Sequence, residues 1–230
     1  MRRPKKPIEE IPTPTEEELL FKIKQMPEEH ASYACFLYLF GPRVSEAIGG
    51  QKKQKTGTYT YTHPKTGRVW EQPIYKELTG KDNTLYEPLK RWHFRVDEDG
   101  WITVSNIPTL KRREEIYKNM RVSYVYANGI NEKPFADILV SYMEKKSPEQ
   151  TMWDFKRKTA WKQIKKHLGI PPHKLRGMRA TKDSVVYDLD ATALKRKYNW
   201  ATDGMAMHYA AKNQKDIMGK IQRASRKLKE

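Results

Sequence analysis

The sequence predicts a mainly helical α+β domain with a small antiparallel sheet, on three observations. Apolar residues recur at helical spacing between Thr15 and Ile48. From about 51 to 126 the spacing shifts to alternation with dense turn signals, and from Glu132 onward it is helical again. A chain of 230 residues can bury about two-thirds or more of its unfolded surface around one core. Helices, then strands, then helices therefore suit one α+β domain better than two very small ones.

Each element has a local reason. Thr15 supplies an N-cap, and Glu16, Glu17 and Glu18 place acids at the positive end of a helix carrying Leu19, Leu20, Phe21 and Ile23, which should end near Pro27. A second helix, His30 to Phe40, is apolar nearly throughout and should be buried, and Gly41-Pro42 stops it before a short segment with Arg43, Val44, Glu46 and Ile48. Tyr59-Thr60-Tyr61-Thr62, the turn His63 to Gly67, and Arg68-Val69-Trp70 read as one hairpin. Trp92 to Val96, the turn Asp97-Glu98-Asp99-Gly100, and Trp101 to Val104 read as another, with Arg121 to Tyr126 as a third strand after the basic stretch Lys111 to Lys118. Trp161, Ile164 and Leu168 share one face of a later helix, which Gly169 and Pro171-Pro172 break, and four more helical segments follow. Residues 1–14 carry four prolines and a basic cluster, which suits a flexible arm. The domain is expected over 15–212, with a basic amphipathic tail over 213–230.

Charge narrows the partner. Forty-five Lys and Arg against 28 Asp and Glu give +17 and a pI near 9.7, which excludes an acidic disordered chain and makes a polyanion, nucleic acid by default, the expected partner. Charge alone does not separate such a binder from a protein whose lysines are simply solvated. Cys35 is the only cysteine, so neither an internal disulfide nor a cysteine-based zinc site can form, and a reducing interior is the simple reading. No run of about 18 apolar residues could span a bilayer, and the first residues lack a secretory apolar stretch. A soluble, intracellular protein is expected.

Four places hold residues suited to phosphodiester chemistry. In Gly41-Pro42-Arg43-Val44-Ser45-Glu46 the carboxylate one turn along could hold a guanidinium, which offers two parallel donors to phosphate oxygens; alone, the pair reads as an ordinary surface ion pair. Pro172-His173-Lys174-Leu175-Arg176 puts an imidazole and a guanidinium on one helical face. In Trp200 to Tyr209, Met205 and Ala206 suit the packed side of a short helix, leaving Tyr209 on another face. Thr109-Leu110-Lys111-Arg112-Arg113 follows the second hairpin and alone is a solvated basic turn.

Taken in chain order, Gly-Pro-Arg-Val-Ser-Glu, a lysine after a β-hairpin, His-x-x-Arg, and a Trp nine residues before a Tyr resemble the catalytic domain of the tyrosine recombinase (phage integrase) family. The resemblance covers about residues 15 to 215. Ile107 to Arg112 is also similar to the lysine region of integrases from archaea and their viruses. The resemblance implies a site-specific recombinase that cleaves and rejoins double-stranded DNA through a 3′-phosphotyrosyl intermediate, with no metal, ATP or other cofactor. It implies Tyr209 as nucleophile and Arg43 and Arg176 as holders of the non-bridging oxygens. His173 would act as proton acceptor or phosphate donor, Lys111 as acid for the departing 5′-oxygen, and Trp200 would stand where many relatives carry His. Glu46 would orient the site from behind. Asn199 and Gly177 depart from the Gly and His frequent at those positions.

A tetramer on DNA, a monomer without it, and a prokaryotic or viral origin with a cytoplasmic, nucleoid-associated location are further implications. Relatives carry a separate helical domain that clamps the far side of DNA, and only about 30 residues precede the catalytic region here, so weak, salt-sensitive binding is expected. The tail could dock on a neighbouring subunit, fold back on its own core, or lie on DNA. Two other readings stay open at this point: a type IB topoisomerase-like nicking and resealing enzyme, and a non-catalytic basic DNA-binding protein.

Overall fold

A computed structural model describes residues 13–49, 53–62, 64, 66–77, 87–98, 100–108, 117–123, 132–198, 200 and 203–210. The first helix, α1 (Glu16–Lys24), begins with a capping box in which the Thr15 hydroxyl accepts from the Glu18 amide and the Glu18 carboxylate accepts from the Thr15 amide. Leu19 and Ile23, four apart, face the core. Phe21 lies between them on the helix and points outward, so only part of the expected apolar set is buried.

At the centre stands α2 (Glu28–Phe40), which starts two residues earlier than the apolar run because Pro27 serves as its N-cap. Every residue from Ala31 to Phe40 is buried, as befits a helix that is apolar on all sides and packed against α1 and the later helices Lys133–Glu144, Arg157–Leu168 and Pro172–Val185. Phe36 meets Phe40, Phe94 and Trp153, and the Trp153 indole donates to Ser32 Oγ at 2.9 Å. Cys35 is buried in this helix, and burial pushes its thiol up. Gly41 ends α2 in the left-handed region at φ +61°, and α3 (Val44–Ile48) follows.

The first hairpin is longer than the alternation suggests. It pairs β1 (Lys53–Thr62) with β2 (Val69–Glu77), with a register shift between Lys55 and Gly57. Pro73 sits inside β2 opposite Thr58, which a two-stranded ribbon tolerates because both strands are edges. A separate three-stranded sheet is ordered β3-β4-β5. Trp92 begins no strand: Arg91–His93 form a 3-10 turn, and β3 is Phe94–Val96. The central strand β4 (Trp101–Pro108) buries Phe94's partner Val104 together with Ile102 and Ile107. It shifts register between Val104 and Ile107, where Asn106 takes φ 56°. The third strand, β5, is Tyr117–Ser123, four residues earlier than expected at its start; residues 124–126 lie outside the described residues.

The return to helix brings α4 (Lys133–Glu144), α5 (Arg157–Leu168), α6 (Pro172–Val185), α7 (Ala191–Tyr198) and a helical stretch over 203–210. On α5 the core face is Ala160, Ile164 and Leu168. Trp161, expected on that face, is exposed beside Lys165, whose ammonium lies 5.0 Å from its ring. The tail over 213–230 and most of the 1–14 arm lie outside the described residues. Among the described residues no helix is long and apolar enough to cross a membrane.

Candidate active site

The site gathers where the C-terminus of α2 meets the start of α6. Arg43 stands at the N-cap of α3 and is held twice by Glu46: its amide donates to Oε2 at 2.7 Å and its guanidinium to Oε1 at 2.8 Å. Glu46 is fully buried while the Arg43 side chain remains partly exposed. This is not a surface ion pair. A buried carboxylate that grips both backbone and side chain leaves the arginine few rotamers.

Arg176 lies one turn into α6. Its two terminal nitrogens donate to the carbonyls of Gly41 and Tyr198, and the guanidinium carbon sits 4.8 Å from the Tyr198 ring centre and 5.8 Å from that of Trp200. A guanidinium has five N–H donors, and these two carbonyls take two of them. Burial lowers its pKa, Glu46 raises it and Arg43 lowers it, and Tyr198 and Tyr209 also act on it. The two arginines, 133 positions apart in sequence, thus share one electrostatic environment.

Tyr209 closes the site. Its ring stacks on Trp200 at 5.6 Å and 11°, and Trp200 stacks in turn on Tyr198 at 4.9 Å and 19°. Its carbonyl accepts from Ser184 Oγ at 2.9 Å, and Lys195 pairs with Asp203 at 2.6 Å, so the 203–210 helix is fastened to both α6 and α7. Ala206 is buried and Met205 exposed, which corrects the expected face: Tyr209, three residues after Ala206, is on the packed side. A β-carbon at Gly177 would lie 3.4 Å from the Tyr209 hydroxyl. Burial raises the Tyr209 pKa, and Arg176 opposes that rise.

His173 is exposed at the start of α6 and lines, with Tyr209, Gly177, Thr181 and Tyr38, a cavity of about 500 Å³. Arg176 thus lies between the Gly41 carbonyl, two residues before the Arg43–Glu46 pair, and the Trp200–Tyr209 stack, while His173 shares with Tyr209 a cavity whose lining includes neither arginine; Lys111 and its neighbours Arg112 and Arg113 lie outside the described residues.

Behind this cluster is a buried charge network that sequence reasoning missed. Arg179 donates to Glu132 and, at 2.8 Å, to Asp183, with all three side chains at most 3% exposed. Asp183 also accepts from the Tyr198 hydroxyl and pairs with Lys197 at 2.8 Å. Lys182 reaches Glu16 on α1 at 2.7 Å. Burial opposes the Arg179 charge, but Asp183 and Glu132 more than offset it and its pKa is raised. The available signal was Arg179 and Asp183 at i,i+4 on a helix whose same region contributes Leu175 and Ala180 to the core.

No family model and no curated protein matches the sequence. Among solved structures the chain is similar to one in the crystal structure of XerH site-specific recombinase bound to difH substrate, a pre-cleavage complex. The TM-score is 0.51 at 12% identity, over 84% of this chain and 47% of that one. The chain thus matches less than half the length of that recombinase. At this identity the likeness is one of architecture: the mainly helical α+β domain with its small antiparallel sheets has the fold of tyrosine recombinase catalytic domains.

Proposed function

We propose that this protein is a site-specific recombinase that breaks and rejoins double-stranded DNA through a tyrosine. The Tyr209 oxygen attacks the scissile phosphorus, the P–O5′ bond breaks, and a 3′-phosphotyrosyl linkage retains the energy needed for rejoining. The phenol proton passes to a base, for which His173 is the candidate in the same cavity. Lys111 supplies a proton to the departing 5′-oxygen. Arg43 and Arg176 bind the non-bridging oxygens as charge grows on the phosphorane, with Glu46 orienting Arg43 and Trp200 supporting Tyr209. Burial raises the Tyr209 pKa, so the phenol is neutral at rest and needs this help to attack.

The observation that carries the reading is that Arg176 donates to the Gly41 carbonyl, two residues before Arg43, and lies 5.8 Å from the Trp200 ring on which Tyr209 stacks, so three distant parts of the chain come together at one helix start. The neighbour's DNA substrate and the chain's +17 charge favour duplex DNA as partner. A tetramer on DNA, with the 213–230 tail joining subunits, belongs to the same reading.

The test is covalent trapping on a nicked suicide duplex carrying candidate attachment sequences. The wild-type chain is expected to form an adduct that peptide mapping places on Tyr209, and Tyr209→Phe to form none. Arg176→Ala should slow adduct formation on the order of a hundredfold or more. An adduct on Tyr198 would overturn the assignment of the nucleophile. Relaxation of supercoils without strand exchange would favour a topoisomerase, and no adduct with intact duplex binding would leave a non-catalytic binder.

A further inference from the structure

We propose that Tyr198, anchored by Asp183, is a positioning residue: the buried bond between its hydroxyl and that carboxylate sets where the Arg176 guanidinium and the Tyr209 ring lie. This rests on the reading that Arg176 and Tyr209 act on a phosphodiester. Both Tyr198 and Asp183 are completely buried, so neither touches DNA and any effect must pass through their neighbours.

Those neighbours are the reacting groups. Tyr198 meets Arg176 twice, through its carbonyl, which accepts from a terminal nitrogen at 3.3 Å, and through its ring, 4.8 Å below the guanidinium. The same ring abuts Gly41, where a β-carbon would lie 2.7 Å from Tyr198 Cε1, and the Gly41 carbonyl is the other acceptor for Arg176. The ring also stacks on Trp200, which in turn stacks on Tyr209. Tyr198 therefore supplies one carbonyl support of the guanidinium, abuts the other at Gly41, and is the first ring of the stack that ends at Tyr209.

What fixes that side chain is its hydroxyl. Asp183 lies seven residues after Arg176 on α6, nearly two full turns, so both project from the same side about 10 Å apart. Tyr198 spans this distance as a strut, with its carbonyl at Arg176 and its hydroxyl at Asp183. Asp183 cannot swing, because Arg179 Nε and Lys197 Nζ each hold it at 2.8 Å. Burial and the Asp183 charge keep the phenol protonated, so it remains a donor. A phenylalanine would keep platform and stack and lose only the fixed end.

The test compares the full chain with Tyr198→Phe, a change that keeps the ring and the fold, and uses two readouts. The first needs no reaction: solvent exchange of the Arg176 side-chain N–H protons, assigned by their loss in Arg176→Lys. It is expected to quicken about tenfold or more in Tyr198→Phe once the guanidinium's support is loosened. The second is single-turnover adduct formation, expected to slow about 10- to 100-fold with duplex affinity unchanged. That deficit should narrow when the scissile phosphate is replaced by an uncharged methylphosphonate, which demands less of Arg176. Unchanged Arg176 exchange overturns the proposal, as does a rate loss that only tracks lost affinity or lost folded protein. If the wild type forms no adduct yet Arg176 exchange depends on Tyr198, the strand-transfer reading fails and the positioning stands.

Discussion

Gly41 carries two demands that only glycine meets. Its backbone is at φ +61°, and a β-carbon would strike Tyr198 Cε1 at 2.7 Å. Gly41→Ala should cost about 2–4 kcal/mol through combined backbone strain and overpacking, read as a lowered urea midpoint. Gly177 is the opposite case, a helical glycine at ordinary φ whose added methyl would rest against the Tyr209 hydroxyl at 3.4 Å. Gly177→Ala should raise stability by about 0.5–1 kcal/mol in a denaturant titration, with the adduct rate changing because the hydroxyl is crowded. A third residue-scale outcome follows from His30, whose ring stacks on Phe155 and whose pKa is lowered by burial against the pull of Glu29 and with the push of His167. Its folded value lies below the unfolded value of about 6.5, so the unfolded chain takes up more protons as the pH falls. Stability should hold above that value and decline below it, and the urea midpoint should drop less between pH 7.5 and 5.5 in His30→Phe. The charged pair Arg43 and Glu46 was legible as an i,i+3 contact, but its burial was not, because the cover over Glu46 comes from distant elements.

Among the described core residues none comes from the β1–β2 hairpin, which pairs only within itself and leaves Tyr59, Val69 and Ile74 exposed. Replacing residues 53–77 by a short Gly-Ser link should therefore shift Tm by no more than about 4 °C in a thermal scan, the equivalent of roughly 1 kcal/mol for a domain of this size. The alternation showed this hairpin's inner half and not its outer half, where Gly57 and Pro73, residue types that strands disfavour, are absorbed by a bulge and an edge position. Helices with a strong stop were legible nearly to the residue: α2 ends at Phe40 because Gly41 follows. Faces were harder. Trp161 and Phe21 look like core residues by type, yet an apolar stripe two turns long has room for only two or three side chains, and better-spaced neighbours occupy it.

On the scale of the whole molecule, a charge of +17 with a cluster of guanidinium groups predicts how binding should respond to salt. If five or six phosphates are neutralised, affinity for duplex DNA should fall about 500- to 1,800-fold between 50 and 200 mM salt, measured by fluorescence anisotropy. A slope near zero would separate the charge from the partner. The order of elements was legible because turn residues mark their boundaries, whereas the convergence of the motifs was expected only through the family resemblance. The Glu132–Arg179–Asp183 network was hidden because its members come from α6 and from the residue before α4, and nothing in a linear pattern pairs them. The lone thiol has a practical corollary. Cys35 sits in the middle of α2 with no exposed surface and little thiolate at neutral pH. A cysteine introduced on the surface would then be the one group that a maleimide dye modifies, so fluorophores for distance measurements can be attached one at a time without first removing the natural sulfur.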